Sequence, residues 1–182
     1  MTPDEPVHLN EYDADWPRQY RAEARHISDL ADGRIVHIEH FGSTAIPGLR
    51  AKPTIDVMAA VHDLEDIQAF TARLVQDGYV EYPENFAHRR FFRKEATSAT
   101  PSIHLHIIEE KDWQHKSERL FRDWLINHPT DSQAYAELKT NLAEAHAADR
   151  DTYTQGKSAF CKKVINKARA DLGLPPRTDW AE

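Results

Sequence analysis

The 182-residue sequence predicts an α+β fold. A small mixed β-sheet with flanking helices spans about 34–108, and a helical C-terminal third spans about 112–172, all within one domain, 1–182. Three observations carry this expectation. Runs rich in β-branched residues, closed by Gly or Asp-Gly, recur through the first part of the chain. Apolar residues at three- and four-residue spacing precede and interrupt them. After Glu110 only the helical spacing continues.

The elements follow in order. Residues 1–12 are a lead-in. Asp13 or Asp15 caps the first helix, with Pro17 in its first turn, where the missing N–H costs nothing. Trp16, Tyr20, Ala24 and Ile27 keep the helical spacing until Asp32-Gly33 turns the chain. The run 35–41, ended by Gly42, is a strand; a loop then leads to a second, largely buried strand over 54–61. Asp63 caps a helix over 64–76, with Ile67, Phe70, Leu74 and Val75 on one face. Short strands follow at 79–82 and 89–94. The run 102–108 alternates most clearly, with His on one face and Ile or Leu on the other. One helix or two short ones then cover about 113–127, Asp131 caps another after a break at Pro129, and a last stripe runs from Tyr153 through Val164 to near Gly173. A loose tail begins at Pro175.

Composition excludes several classes of function. Hydrophobic residues make up 40% and mean hydropathy is −0.70, which with the aromatic content suffices for a core. The 30 acidic against 23 basic side chains leave a net charge of −7, the wrong sign for a non-specific nucleic-acid binder. A local basic pocket for a small anion stays open. The single cysteine, Cys161, allows no internal disulfide and no cysteine-based zinc site. No apolar run approaches the ~20 residues of a membrane span, and the first ten residues lack a secretory h-region. The expectation is a cytoplasmic protein, monomer or homodimer, without membrane partners.

The chemistry gathers between His40 and Asp56. Gly42 lets backbone N–H groups approach a phosphate, Ser43 and Thr44 add hydroxyls, and Lys52 adds a cation. Asp56 inside an apolar strand is costly unless paired or metal-bound; the plainer alternative is a tight turn with a hydrogen-bonded Asp. His104 and His106, two apart on a strand, share a face. Aimed at Asp56 and, more weakly, His40, they would hold a metal or form an acid–base pair; alternatively they face solvent. Within the basic cluster 89–94, Arg90 can fork onto an anion or line a solvated strand edge. Tyr153 and Lys157, four apart on a helix, reach one ligand together unless the ring only packs on the lysine stem. Trp16, Trp113 and Trp124 are expected in the core, and Cys161 on the apolar stripe is expected to be inert.

The stretch His40-Phe41-Gly42-Ser43-Thr44-Ala45-Ile46-Pro47-Gly48-Leu49-Arg50-Ala51-Lys52-Pro53-Thr54-Ile55-Asp56-Val57 resembles the signature of the GrpB family (UPF0157), G-S-T-[SA]-[VI]-P-G-L-x-[AG]-K-P-x-[IL]-D-[IVL]. Tyr12 and Trp16, Arg90-Phe91-Phe92, His104-Leu105-His106, Phe121 to Leu125, and Tyr153 with Lys157 extend the match along nearly the whole chain. The resemblance implies a nucleotidyltransferase-like fold of the DNA polymerase β type. It implies a Gly42-Ser43 turn holding phosphate oxygens and Asp56 as the first metal-binding acid of a two-metal phosphoryl transfer. The sequence departs from that superfamily at Met58, where a second acid belongs, and at the strand 102–108, where His104 and His106 replace the third.

Three functions are therefore weighed. One is a nucleotidyltransferase-like protein that binds a nucleotide or another phosphorylated or anionic small molecule, with a divalent metal (Mg, Mn or Zn) as cofactor. It would use Asp56, His104 and His106 for metal or proton, and Gly42, Ser43, Thr44, Lys52, Arg90, Tyr153 and Lys157 for the ligand. The others are a His/Asp metal-dependent enzyme of different reaction, and a degenerate binding or accessory domain, as fusions of relatives to dephospho-CoA kinase imply.

Overall fold

A computed structural model of the chain describes residues 7–82 and 88–177. Parts of the expected lead-in (1–6) and tail (178–182) lie outside the described residues.

Helix α1 (Trp16–Ala31) starts with Pro17 in its first turn and buries Trp16, Ala24, Ile27 and Ala31 along one stripe. Asp15 stands at its N-cap as expected, but makes no side-chain capping hydrogen bond. The Asp15 carboxylate pairs with Arg18, and Asp13 Oδ1 accepts the Asp15 N–H at 2.8 Å. The chain leaves through Asp32 in a left-handed conformation. Strands β1 (Ile35–Phe41), β2 (Thr54–Val61), β4 (Arg89–Lys94) and β5 (Ser102–Glu109) fall on the β-branched and alternating runs, and β3 (Val80–Glu81) is a short edge strand. Helix α2 (Gln68–Gln76) follows a 3₁₀ turn at Glu65–Ile67, where the Asp63 carboxylate accepts the Glu65 N–H; it buries Phe70 and Leu74, but Val75, one position on from Leu74, turns away from that face and is exposed.

The described strands form one mixed sheet in the order β1-β2-β5-β4-β3. β2 runs parallel to β5, and the other pairs are antiparallel. Register places Phe41, Asp56 and His104 in one row, continued by Arg93, and Met58, His106 and Phe91 in the next. Because side chains alternate across a sheet, the neighbours of these residues belong to the opposite face. On that first face Ile55, Val57, Ala59, Leu105, Ile107 and Phe92 pack against Ile27 of α1 and Phe70 and Leu74 of α2. Each such side chain, fully buried, contributes roughly 1.5–3 kcal/mol for the larger residues.

The second face meets the helical third: α3 (Ser117–Asn127), α4 (Pro129–Ala145), α5 (Arg150–Gly156) and α6 (Ser158–Asp171). Two expected boundaries move. The break expected at Pro129 is present, but Pro129 itself begins α4, because the first helical position needs no N–H, so Asp131 lies in the first turn instead of capping it; its carboxylate accepts from Trp124 Nε1 at 2.7 Å and from Lys167 at 2.8 Å. The expected single last helix is two, broken at Lys157. Gly156 allows the close passage of α5 over α4, since a Cβ there would lie 2.6 Å from Leu142 Cδ2. Ile46 and Leu49, from the loop after β1, pack with Leu125, Tyr135 and Val164, which fastens the helical third to the turn. Trp16 and Trp113 are buried; Trp124 is partly buried and stacks on His128. Among the described residues no helix is long and apolar enough to cross a membrane.

Candidate functional site

The site starts from one glycine. β1 ends at Phe41, opposite Asp56 in register, and Gly42 turns the chain with φ +72° into the 3₁₀ turn Ser43–Ala45. A Cβ at Gly42 would lie 2.1 Å from Asp56 Oδ2, so only glycine lets the turn pass over this carboxylate. Thr44 is fully buried. Its Oγ1 donates to the Thr54 carbonyl at 2.9 Å and meets His40 Nε2 at 3.0 Å. This corrects its expected role: Thr44 fastens the loop and presents no hydroxyl to a ligand.

Beside the turn lies a cleft of about 170 Å³ between the sheet and the helical third, lined among others by Gly42, Ser43, Phe121, Tyr135, Lys157 and Cys161. Lys157 stands in the break between α5 and α6, its Nζ 4.3 Å from the centre of the Tyr153 ring. Lys52 Nζ lies 5.3 Å from the same ring. Tyr153 therefore brings the two lysines together, as cation–π geometry permits. Burial lowers the Lys157 pKa, opposed by Cys161 and by the nearby Asp56 carboxylate.

A third lysine comes from α4. Lys139 is 2% exposed; its Nζ donates to Ser43 Oγ at 3.2 Å and to the Arg50 carbonyl. Burial lowers its pKa to about 7, helped by the charges of Lys157 and Arg50. The Tyr135 hydroxyl, in hydrogen-bonding contact with Cys161 and Ser43, is pushed well up by burial. Burial also pushes the Cys161 thiol to about 11, in keeping with an unreactive cysteine. Sequence reasoning missed Tyr135 and Lys139 as site residues. The signal was a lysine four residues after a tyrosine, inside a stripe otherwise apolar.

On the adjoining sheet face, His104 Nδ1 lies 3.3 Å from Asp56 Oδ1, with both side chains about a fifth exposed. His106 points to the same side but is buried against Phe91 and Phe41, and burial drives its pKa well below the usual value, so it is neutral. His40 does not join them. It pairs with Val57, on the opposite face, and stacks on Tyr20 of α1 at 4.7 Å, where burial lowers its pKa to about 4. Arg90 is likewise on the first face: it pairs with Ile107 in register and forms an ion pair with Glu81. Its neighbour Arg93 is the arginine in the row of His104. The expected contributions of His40 and Arg90 to the Asp56 site are thus corrected by the two-residue period of the strands.

Met58, in the second acid's position, is fully buried with Phe41, Ala60, Ile108 and Trp113. Among the described residues no three His, Cys, Asp or Glu side chains form a group that could hold a metal ion. One carboxylate, an imidazole already against it and a buried second imidazole do not fit a resident two-metal centre.

The family model described as GrpB protein matches residues 6–167. The chain belongs to the GrpB family. A UPF0157 protein of Pseudomonas aeruginosa is 36% identical over 94% of this chain and 72% of that protein, and one of Halalkalibacterium halodurans is 31% identical over 90% and 83%. The crystal structure of the conserved protein GrpB from Enterococcus faecalis superposes with a TM-score of 0.82 at 29% identity, covering 91% of this chain and 99% of that one. The GrpB fold is therefore shared from α1 to the helical third. A dephospho-CoA kinase of Mycolicibacterium paratuberculosis matches 97% of this chain with 47% of its own length, at 22% identity. A distant likeness to the Cid1 poly(U) polymerase has a TM-score of 0.46 at 11% identity, over 72% of this chain and 45% of that one, and bears on neither substrate nor reaction.

Proposed function

We propose that this GrpB-family protein binds a phosphorylated small molecule, a nucleotide, in the cleft between the Gly42-Ser43 turn and α3–α6. One observation carries the reading: Lys157 and Lys52 converge on Tyr153 beside Ser43, in a chain of net charge −7. Burial disfavours the charge of Lys157, and a phosphate at Ser43 would restore it. The apolar part of the lining, Phe41, Phe121 and Tyr135, suits a base or another flat group. Backbone N–H groups of the turn and the Ser43 hydroxyl would hold the anion.

Transfer of a nucleotidyl group is the second reading, favoured by the Asp56–His104 pair next to this cleft, which is arranged to move a proton. Met58 favours binding without transfer.

The test is a thermal-shift series on the full chain with ATP, GTP, CTP and UTP, each alone and with Mg²⁺, Mn²⁺ or Zn²⁺. Wild type is compared with Lys157→Met and Asp56→Asn. Ligand at ~100 times its Kd stabilises by roughly 2.7 kcal/mol. The expected result is a shift with one nucleotide that Lys157→Met abolishes. Release of pyrophosphate on adding a hydroxyl acceptor would establish transfer. No shift with any nucleotide overturns the reading, and a shift with metal alone, lost in Asp56→Asn, would replace it with a metal-dependent reaction.

A further inference from the structure

The arginines that face the second side of the molecule are consistently matched to acids. Arg89 pairs with Glu118, and Arg119 and Arg122 pair with Glu39. Arg93 differs. None of the ion pairs among the described residues includes it, and its Nε is buried with no hydrogen-bond partner among them. Its guanidinium lies instead 4.8 Å from the Tyr82 ring centre and 5.3 Å from that of Phe91. In a chain with 30 acidic side chains, a partly buried guanidinium that meets aromatic rings and no carboxylate among the described residues is held ready for an anion from outside. The aromatic rings fix its plane and leave its N–H fork for a carboxylate or phosphate, which it fits bidentately.

Its position supplies the rest. Arg93 is the register partner of His104, and His104 of Asp56, so the three stand in one row across β4, β5 and β2. Asp56 Oδ1 faces His104 Nδ1 at 3.3 Å. With Nδ1 turned to the carboxylate, Nε2 is the ring nitrogen directed away from it. Adjacent strands are about 4.8 Å apart, so a ligand group at Arg93 and another at His104 are separated by roughly 5 Å, the reach of a three- or four-bond chain.

We infer that the row Asp56–His104–Arg93 is a second ligand subsite, for a small molecule carrying a hydroxyl and a carboxylate or phosphate. The anionic group forks onto Arg93, and the hydroxyl donates its hydrogen bond to His104 Nε2. This goes beyond the cleft beside Ser43. It lies on the adjoining sheet face, uses residues the cleft does not, and would place a second reactant next to the first.

The experiment follows the His104 Cε1–H resonance of the full ¹³C,¹⁵N-labelled chain, assigned with His104→Gln, during titration with 3-hydroxypropanoate and, separately, inorganic phosphate. The expected result is a saturable shift with both probes, tighter for 3-hydroxypropanoate, that weakens at least tenfold in Arg93→Met and is partly kept in Arg93→Lys. Arg90→Met, which changes only the opposite face, should titrate like wild type. Lys157→Met should keep the His104 response, so failure of the nucleotide cleft and failure of this subsite read out separately. An unmoved His104 resonance in wild type overturns the inference, as does an Arg93→Met chain, folded by circular dichroism, that titrates like wild type.

Discussion

On β2, Ile55, Val57, Ala59 and Val61 face α1 and α2, while Asp56, Met58 and Ala60 face the helical third. On β5 the same alternation sets Ile103, Leu105 and Ile107 against His104 and His106. The first face is closed by apolar packing from Ile55 to Val61 and from Ile103 to Ile107, and its charged side chain from these two strands, Glu109, stands at the end of β5 and pairs with Lys111. The second carries Asp56, His104, His106 and Arg93. One set of hydrogen-bonded strands thus separates folding from chemistry with a period of two residues. Substitutions at neighbouring positions should therefore differ in kind, not only in size.

The largest effect should come from breaking the first face. Leu105→Ala removes a fully buried side chain. It should cost about 2–5 kcal/mol in urea unfolding, while His104→Ala, one residue away, should cost less than about 1 kcal/mol. Equal losses would mean that the two faces share the work of stability.

Next in size is the joint between the faces. Gly42→Ala places a methyl group on the Asp56 carboxylate at a backbone angle that alanine rarely adopts. A loss of about 1–3 kcal/mol is expected, together with loss of nucleotide response and a moved His104 resonance. Retained binding would show that Asp56 need not sit under the turn.

The smallest effect at neutral pH, but the most specific, concerns Lys139. Burial holds its pKa at about 7 in the folded chain, against about 10.4 when unfolded. Between these values the unfolded chain binds a proton that the folded chain lacks, so this group makes stability rise with pH across that window. Below about 7 both states are protonated and the burial penalty is fully present. The stability difference between wild type and Lys139→Met should therefore shift in favour of wild type from about pH 7 to about pH 10, by up to about 1.4 kcal/mol per unit. Parallel pH profiles would show that the ammonium is solvated.

Much of this was legible in the sequence. β1, β2 and β4 begin and end where their β-branched or aromatic runs do, because those runs are bounded by Gly, Pro and polar turns. Asp56 and His104 were also legible, as a carboxylate in an apolar strand and a His-x-His alternation. What the sequence could not convey was parity between strands. In β4 the pair Phe91-Phe92 is apolar at both positions, so nothing local says that Arg93, not Arg90, shares a face with His104. His40 follows Glu39 in a strand whose bulge near Ile35 resets its alternation, and only the pairing with β2 reveals its side. Lys139 and the break at Lys157 depend on how α4, α5 and α6 pack, a matter of tertiary contact rather than of spacing along one helix.

The parallel pairing of β2 with β5 has a consequence for how the chain acquires its site. Thr54 and Ser102 bond across 48 residues of sequence, and Asp56 and His104 meet two positions further along the same ladder. The β1–β2 hairpin and the helices can form from local contacts, but this ladder must close a long loop first, which is the slow kind of event. Asp56, His104 and Arg93 therefore assemble only when this long-range pairing does. During synthesis, a chain that has not yet emerged past β5 has its turn and its Asp56, but nothing for them to act with. Recovery of the His104 response after dilution from denaturant should accordingly follow the final refolding phase.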